Sequence, residues 1–485
     1  MSVELNERRQ KLLAGGGEER VAKQHEAGKM TARERVAKLF DEGSFVEVGV
    51  FTAAKESAAS VITGYGLVEE RPVYVYAQDF TVKSGAMGAA AAAKIVRIME
   101  LAQKTGAPVI AICDSYGADL AEGVAALNAY ASVMKETAAI SGVVPQVSLV
   151  LGPCAGGAAF VPALTDITIV ADKVGSMFVT GPQVVSARTG KDLTEKDIGG
   201  GKKLAENGAA SIVVDTEDEA IAMARKVLSF LPSNNQEDAP LMMSDDLNRQ
   251  LDIDTYHDAH DAIVRIADFN DYVELNKGYA DNMVTALARI GGRCVGIVAN
   301  NPAVAEGVLC AKACKKAARF IRLCDCFNLP VVTLVNTCGQ ASVTPETNAC
   351  EINAAAQLIF AYGEAVVPKV SILCGDAIGA AYAAMGSKAN GADVVFAWPT
   401  AFVAPINAEA AVRIMKAQEL KDGVALNELV EAYKDMNGAV ATCEAGVADD
   451  VIAPVATRQM IAAALEMLLG KREIALPRKH GNLPL

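Results

Sequence analysis

Two short tracts of this chain place glycine and alanine directly after an apolar run. They are Leu151-Gly-Pro-Cys-Ala-Gly-Gly-Ala158 and Leu373-Cys-Gly-Asp-Ala-Ile-Gly-Ala-Ala381. A strand that ends at glycine and opens a helix leaves the first N–H groups of that helix without partners in it. The positive end of the helix dipole lies at the same place. Without bulky side chains a ligand oxygen can reach those amides, which then stabilise negative charge developing on it. Gly156-Gly157-Ala158 and Gly379-Ala380-Ala381 are therefore two candidate oxyanion holes. The competing reading, that small residues only let a helix pack closely on a strand, is weakened by their recurrence at matching positions.

The other reactive side chains point away from most familiar chemistries. There are 4 histidines, His25, His257, His260 and His480, none close in sequence to either glycine turn. His257 and His260 could share a helix face, but no third ligand accompanies them, so no metal site is expected. Ser115 and Ser148 lack the G-x-S-x-G setting of a serine hydrolase, and no phosphate-binding P-loop motif occurs. Asp114 and Asp166 follow apolar runs and read as carboxylates that cap a turn or helix. The 11 cysteines are odd in number and scattered, as expected of buried, reduced thiols in a cytosolic protein. A reaction in which preorganised amides hold two ligands, and a cofactor supplies the base, fits this inventory best.

The elements that carry the turns form an internal repeat. Lys94–Gly117 aligns without a gap on Lys316–Gly339, and Val143–Ala158 aligns on Val366–Ala381. In each half an amphipathic helix feeds a buried β-branched strand, and a second buried strand then ends in the glycine turn. Two halves with one plan imply two homologous α/β domains. The polar, proline-bearing stretch 231–240 reads as the linker. The expected division is a charged helical arm over 1–45, an N-terminal domain over 46–232 and a C-terminal domain over 233–485. The 485 residues, 52% hydrophobic and 21% charged, suit a globular protein of more than one domain. A net charge of −13 disfavours a nucleic-acid partner. The uncharged run 137–165 is long enough to span a bilayer, but Pro145, Pro153, Pro162 and its glycines read instead as strand, loop and helix. The polar N-terminus shows no signal-peptide pattern.

Together these tracts resemble the biotin-dependent acyl-CoA carboxyltransferase family, which includes propionyl-CoA carboxylase β subunits, the transcarboxylase large subunit and methylmalonyl-CoA decarboxylase α subunits. The resemblance rests on Gly28-Lys-Met-Thr-Ala-Arg-Glu-Arg35, Gly43-Ser-Phe-Val-Glu47, Gln78-Asp-Phe-Thr-Val82, Gly152–Ala158, Pro162–Asp166, Thr180-Gly-Pro182, Lys316–Phe320, Ala397-Trp-Pro-Thr-Ala401 and the tail Lys479–Leu485. It implies two crotonase-like domains in tandem, usually assembled as a hexamer. CoA would lie mainly on the N-terminal domain of one subunit, and biotin on the C-terminal domain of its dimer partner. Carried over by position, Gly156 and Gly157 hold the thioester enolate oxygen, with Gly117, Ala118, Ala155 and Ala158 around the acyl-CoA. Ala380 and Ala381 hold the biotin ureido oxygen, beside Gly339 and Gly379. The biotin nitrogen acts as base, with CO2 as a transient. The chain has no biotin-attachment sequence and no ATP-dependent carboxylase domain, so biotin must arrive on a separate carrier protein. A membrane sodium-pump partner would make the complex a decarboxylase, the reading slightly preferred. A biotin carboxylase partner would make it an ATP-dependent acyl-CoA carboxylase. The expected location is cytoplasmic, peripheral to a membrane only through a partner.

Several positions depart from the family pattern. S-G-G-A-R is replaced by Ser115-Tyr-Gly-Ala-Asp119, D-V-P-G-F by Asn336-Thr-Cys-Gly-Gln340, and R-H-G-A-K by Asn353-Ala-Ala-Ala-Gln357; Ala383 stands where an acidic residue is common. These changes bear on the acyl group. Two rivals stay open: a crotonase-like hydratase or isomerase using Asp119 and Glu122 as its acids, and a non-catalytic scaffold that holds a biotin carrier.

Overall fold

The computed structural model describes residues 3–52, 59–340, 345–473 and 477–484, so the last residue of the tail signature, Leu485, lies outside them. The chain forms two compact units, Met1–Asp238 and Ala239–Leu485. The division falls inside the polar stretch 231–240, slightly beyond the expected boundary.

In the first unit eight strands form one sheet. They are β1 (Val46–Glu47), β2 (Val61–Val68), β3 (Arg71–Gln78), β4 (Val109–Ser115), β5 (Gln146–Ala155), β6 (Ile167–Ala171), β7 (Ser176–Phe178) and β8 (Ile212–Val214). Their order is β1-β2-β3-β4-β5-β6-β8, with β7 added to β5. The second unit repeats this with β9 (Tyr272–Leu275), β10 (Met283–Ile290), β11 (Arg293–Asn300), β12 (Val331–Thr337), β13 (Lys369–Ile378), β14 (Val394–Ala397), β15 (Phe402–Ala404) and β16 (Asp450–Val451). There the order is β9-β10-β11-β12-β13-β14-β16, with β15 added to β13.

Each sheet starts as an antiparallel meander and continues in parallel. The continuous apolar runs seen in the sequence are the parallel strands, buried on both faces as such strands must be. β4 is buried along its whole length, and β5 is buried up to Leu151-Gly-Pro-Cys154. The register repeats as well: Val109 pairs Gln146 in the first unit and Val331 pairs Lys369 in the second. A shift between Cys113 and Ser115, matched between Val335 and Thr337, bends the strand ends apart. The start of β5 then pairs β6 while its end pairs β7. That split exposes the turn that follows.

The helices between strands obey the expected pattern. Ala89–Thr105 buries Ile95, Ile98, Met99 and Ala102 and ends at left-handed Gly106. Ala311–Cys326 buries Ala317, Phe320, Ile321 and Cys324, and Asn328 supplies the left-handed residue at the corresponding place. Each unit has its own hydrophobic core. The run 137–165 divides into a helix end, β5 and a short helix. Among the described residues no helix is long and apolar enough to cross a membrane.

The N-terminal arm is part of the first unit and not a separate layer. Its helices Val3–Leu13, Glu18–Glu26 and Ala32–Leu39 are tied down by a buried charge network. Lys29 Nζ lies 2.7 Å from Asp114 Oδ1, and Arg35 Nη1 lies 2.8 Å from Asp114 Oδ2. Arg35 also binds Glu217 and donates to the Leu151 carbonyl at 2.7 Å. Thr31 and Glu34 form a capping box that starts the third helix at the required place.

Candidate active site

In the first unit the chain leaves β5 at Ala155 and turns at Gly156, whose φ of 60° favours glycine. Gly156–Ala159 make one helical turn that runs into the helix Phe160–Leu164. Gly156 and Gly157 are half-exposed, while the side chains of Ala158 and Ala159 enter the core. A β-carbon on Gly157 would stand 3.3 Å from the Tyr130 ring, so the ring packs closely against this position.

The exit of β4 lies against this turn. Gly117 has φ 105°, and a β-carbon on it would be 3.0 Å from the Ala155 carbonyl oxygen. Met87 N donates to Gly117 O and Met87 O accepts from Asp119 N, both at 2.8 Å, so Ala118 bridges to Met87. In this pattern the N–H and C=O of Ala118 itself point to the opposite edge, the side on which Gly117 meets Ala155. The site thus joins the Ala118 amide to the opening amides of the Gly156–Ala159 turn. Residue choice alone does not show this role of Ala118, since the Met87 bridge that turns its amide is a tertiary contact.

The second unit repeats the arrangement. Leu309 N donates to Gly339 O at 2.9 Å and Leu309 bridges to Gln340. Gly379, with φ 64°, opens the helix Gly379–Ala384. The repeat places Gly379 on Gly156 and Ala380 on Gly157. Ala381 therefore corresponds to Ala158: its methyl is fully buried and its amide is one step further along. Ala380 and Ala383 are exposed.

The candidate acids and ligands are engaged structurally. Asp114 anchors the arm as described, and Asp166 Oδ2 accepts from the Gln146 amide at 2.8 Å. Asp119 lies 2.6 Å from Lys83 Nζ and also caps Ala121 N. Glu122 accepts from Ala89 N at 2.7 Å, capping the helix that Ala89 opens. Neither is placed to serve as the free acid that a hydratase or isomerase needs. Ser148 is buried and accepts from Thr165 Oγ1 at 2.9 Å. His257 precedes the helix Ala259–Ile266, so it shares no helix face with His260, which is held by Asp258 and Glu274. No metal-binding cluster occurs among the described residues.

The rims of the two turns differ in charge. Ser84, Tyr116 and Pro153 border the first turn. Their counterparts in the second unit are Glu306, Cys338 and Asp376. Burial, with Glu306 close by, pushes the Cys338 thiol up, and burial raises the Asp376 carboxyl. One further pair is duplicated. Lys94 Nζ donates to Val61 O at 2.6 Å and Lys316 Nζ to Tyr279 O at 3.0 Å. Burial pushes both amines down to about 8.

Residues 23–483 match the family model described as the carboxyl transferase domain. The methylmalonyl-CoA decarboxylase subunit alpha of Propionigenium modestum is 41% identical, the alignment covering 99% of this chain and 98% of that protein. The same subunit from Veillonella parvula is 43% identical over equal shares. The propionyl-CoA carboxylase beta chain of Saccharopolyspora erythraea is 40% identical over 100% of this chain and 95% of its own length. A crystal structure of transcarboxylase 12S, a hexamer with methylmalonyl-CoA and methylmalonic acid bound, superposes with a TM-score of 0.94 at 41% identity, covering 99% of this chain and 98% of that one. The two similar α/β units are thus the expected pair of crotonase-like domains.

Proposed function

This chain belongs to the carboxyl transferase family, and from that premise we propose that it acts on a short-chain acyl-CoA of the methylmalonyl type, removing CO2 onto biotin held by a separate carrier protein. The observation that carries this reading is the pair of backbone amide turns, one per unit, with Asp119 and Glu122 beside the first engaged structurally. In the first unit the Ala118 and Gly157 amides donate to the thioester oxygen as negative charge develops on it. Gly117, Ala155, Gly156 and Ala158 keep bulk out of that cradle. In the second unit the amides of Gly379, Ala380 and Ala381 donate to the biotin ureido oxygen, with Gly339 keeping the approach open. Biotin, when bound, carries the carboxyl group and supplies the base. Relatives named as decarboxylase subunits, at 41% and 43% identity, support the decarboxylating direction. The likeness to hexameric transcarboxylase 12S supports assembly as a hexamer. The partners are the biotin carrier and a membrane sodium-pump subunit.

The test is carboxyl exchange between labelled CoA thioesters and free biotin, catalysed by the purified chain. Biotin-dependent loss of label from methylmalonyl-CoA is expected. Hydration or isomerisation without biotin would overturn the reading, and carrier binding without turnover would leave a scaffold. Copurification with a biotin carboxylase, and ATP-dependent carboxylation, would reverse the direction.

A further inference from the structure

One aromatic side chain stands behind both halves of the first turn. Tyr130, on the helix Val124–Ala139, is 4% exposed. Three of its ring atoms would meet a β-carbon on Gly157, at 3.3, 3.4 and 3.5 Å. Its hydroxyl is buried and has no hydrogen-bond partner. Burial pushes that phenol up, and Ser115 beside it opposes the rise. The phenol therefore stays protonated and is free to donate. Ser115, fully buried at the end of β4, accepts from Gly117 N at 3.0 Å, and its own hydroxyl reaches Gly117 O at 3.4 Å. Gly117 O also accepts from Met87 N. That carbonyl belongs to the peptide unit whose N–H is the Ala118 amide. The unit is planar and trans, so its C=O and N–H point opposite ways and share one resonance. Electron density drawn to the oxygen makes the N–H a stronger donor.

The second unit keeps the hydroxyl bracket, with Gly339 N donating to Thr337 Oγ1 at 3.3 Å. It does not keep the polar groups behind it. Val298, Val335 and Ala377 stand in register where the first unit has Tyr76, Cys113 and Cys154. Tyr76 carries a second buried hydroxyl without a partner. Leaving a buried hydroxyl unpaired costs stability, so the fold itself does not call for these groups.

We propose that Tyr130 is a positioning residue for the thioester turn: its ring fixes Gly157, and its hydroxyl donates to Ser115 as charge develops on the substrate oxygen. This rests on the reading of the first unit as the acyl-CoA side. The chain of bonds runs from the Tyr130 hydroxyl to Ser115 Oγ, from the Ser115 hydroxyl to Gly117 O, and through the Gly117–Ala118 peptide to the Ala118 N–H. No proton is transferred along it. Each bond polarises the next in a site closed to water, and the Ala118 amide donates more strongly at the far end. The ring meanwhile holds the Gly157 amide at a fixed distance from the Ala118 amide, so the two donors face one oxygen without rearranging.

Steady-state carboxyl exchange by the full chain, with methylmalonyl-CoA and free biotin, tests this beside urea unfolding followed by circular dichroism. Tyr130→Phe keeps the ring and is expected to lower kcat about fivefold, a fraction of the loss when a whole oxyanion donor is removed. KM for the thioester stays unchanged, because the bond strengthens only in the transition state. The urea midpoint does not fall, since the hydroxyl has no partner to lose. A merely structural tyrosine would move stability and activity together. Tyr130→Leu removes the ring as well and is expected to lower kcat about 10²-fold. Ser115→Thr, which installs the residue found at the matching place in the second unit, retains most of the exchange, whereas Ser115→Ala does not. The double variant Tyr130→Phe, Ser115→Ala loses no more than Ser115→Ala alone, because both changes cut one chain. Tyr76→Phe removes the other unpaired hydroxyl, beside Cys113 and Cys154, and leaves the exchange unchanged. Parent-like kcat in Tyr130→Phe, a loss confined to KM, or losses that multiply in the double variant would each overturn the proposal and leave the acyl-CoA reading intact. A parent chain that shows no exchange would overturn both.

Discussion

The hairpin β2–β3 and its repeat β10–β11 are closed by the same device with opposite chemistry. In the first unit the turn residues are Glu69 and Glu70, at φ 51° and 66°; in the second they are Gly291 and Gly292, at 64° and 77°. Both turns are capped by an aspartate. Asp41 accepts from Glu69 N and Glu70 N at 3.3 and 3.0 Å, and Asp268 accepts from Gly291 N and Gly292 N at 3.1 and 2.6 Å. An arginine from a later helix then pairs with each cap, Arg225 with Asp41 at 2.9 Å and Arg458 with Asp268 at 2.6 Å. The first pair is 26% and 31% exposed, the second 0% and 2%. One topology thus accepts a solvated staple with a strained turn, or a dry staple with a relaxed one. What the fold requires is a partner for the turn amides, and burial decides how much each partner matters.

The largest expected effect breaks the dry staple. Arg458→Ala leaves Asp268 buried without its counter-ion and is expected to destabilise the second unit by about 3–5 kcal/mol, whereas Arg225→Ala costs the first at most about 1 kcal/mol. Trp398, the only tryptophan, bonds Thr457 beside Arg458 and reports the second unit by fluorescence in urea. Equal losses in the two units would remove the contrast.

Next comes the contrast between the glycine turns. Gly157→Val must displace the Tyr130 ring and is expected to lower carboxyl exchange by about 10²-fold. Ala380→Val, at an exposed position, is expected to act mainly on the affinity for biotin. Steady-state kinetics against each substrate separates the two.

The duplicated lysines offer a pH test. Their amines sit near 8 in the folded chain and near 10.4 when unfolded. The charged form is thus disfavoured by folding, and its cost is complete below pH 8. It shrinks as pH rises from 8 towards the unfolded value. Relative to Lys94→Met or Lys316→Met, the parent chain is expected to gain about 1–2 kcal/mol between pH 7 and 9.5. A gap that stays constant in denaturant titrations would refute this.

The smallest effect exchanges the turns. Glu70→Gly relieves a left-handed glutamate and is expected to stabilise the first unit by about 0.5–1 kcal/mol. The reverse change, Gly292→Glu, places a β-carbon 2.2 Å from the Met242 carbonyl and destabilises the second unit. Hydrogen exchange in each hairpin reads both.

Much of this was legible in the linear chain, because strand burial and helix amphipathicity follow from residue order at fixed periods. The repeat of Lys94–Gly117 in Lys316–Gly339, the helix-to-strand order and the two glycine turns needed only those periods and the conformational freedom of glycine. The family signatures then carried the acyl-CoA and biotin sides as expectations. Other features depend on contacts between residues far apart in sequence, which no local pattern encodes. Met87 orients the Ala118 amide. Asp114 anchors Lys29 and Arg35, so the arm belongs to the first unit. Lys83 answers Asp119, and Tyr130 meets both Gly157 and Ser115. Periodicity decides which face of an element is buried, whereas only the folded chain decides which polar group finds which partner once water is excluded.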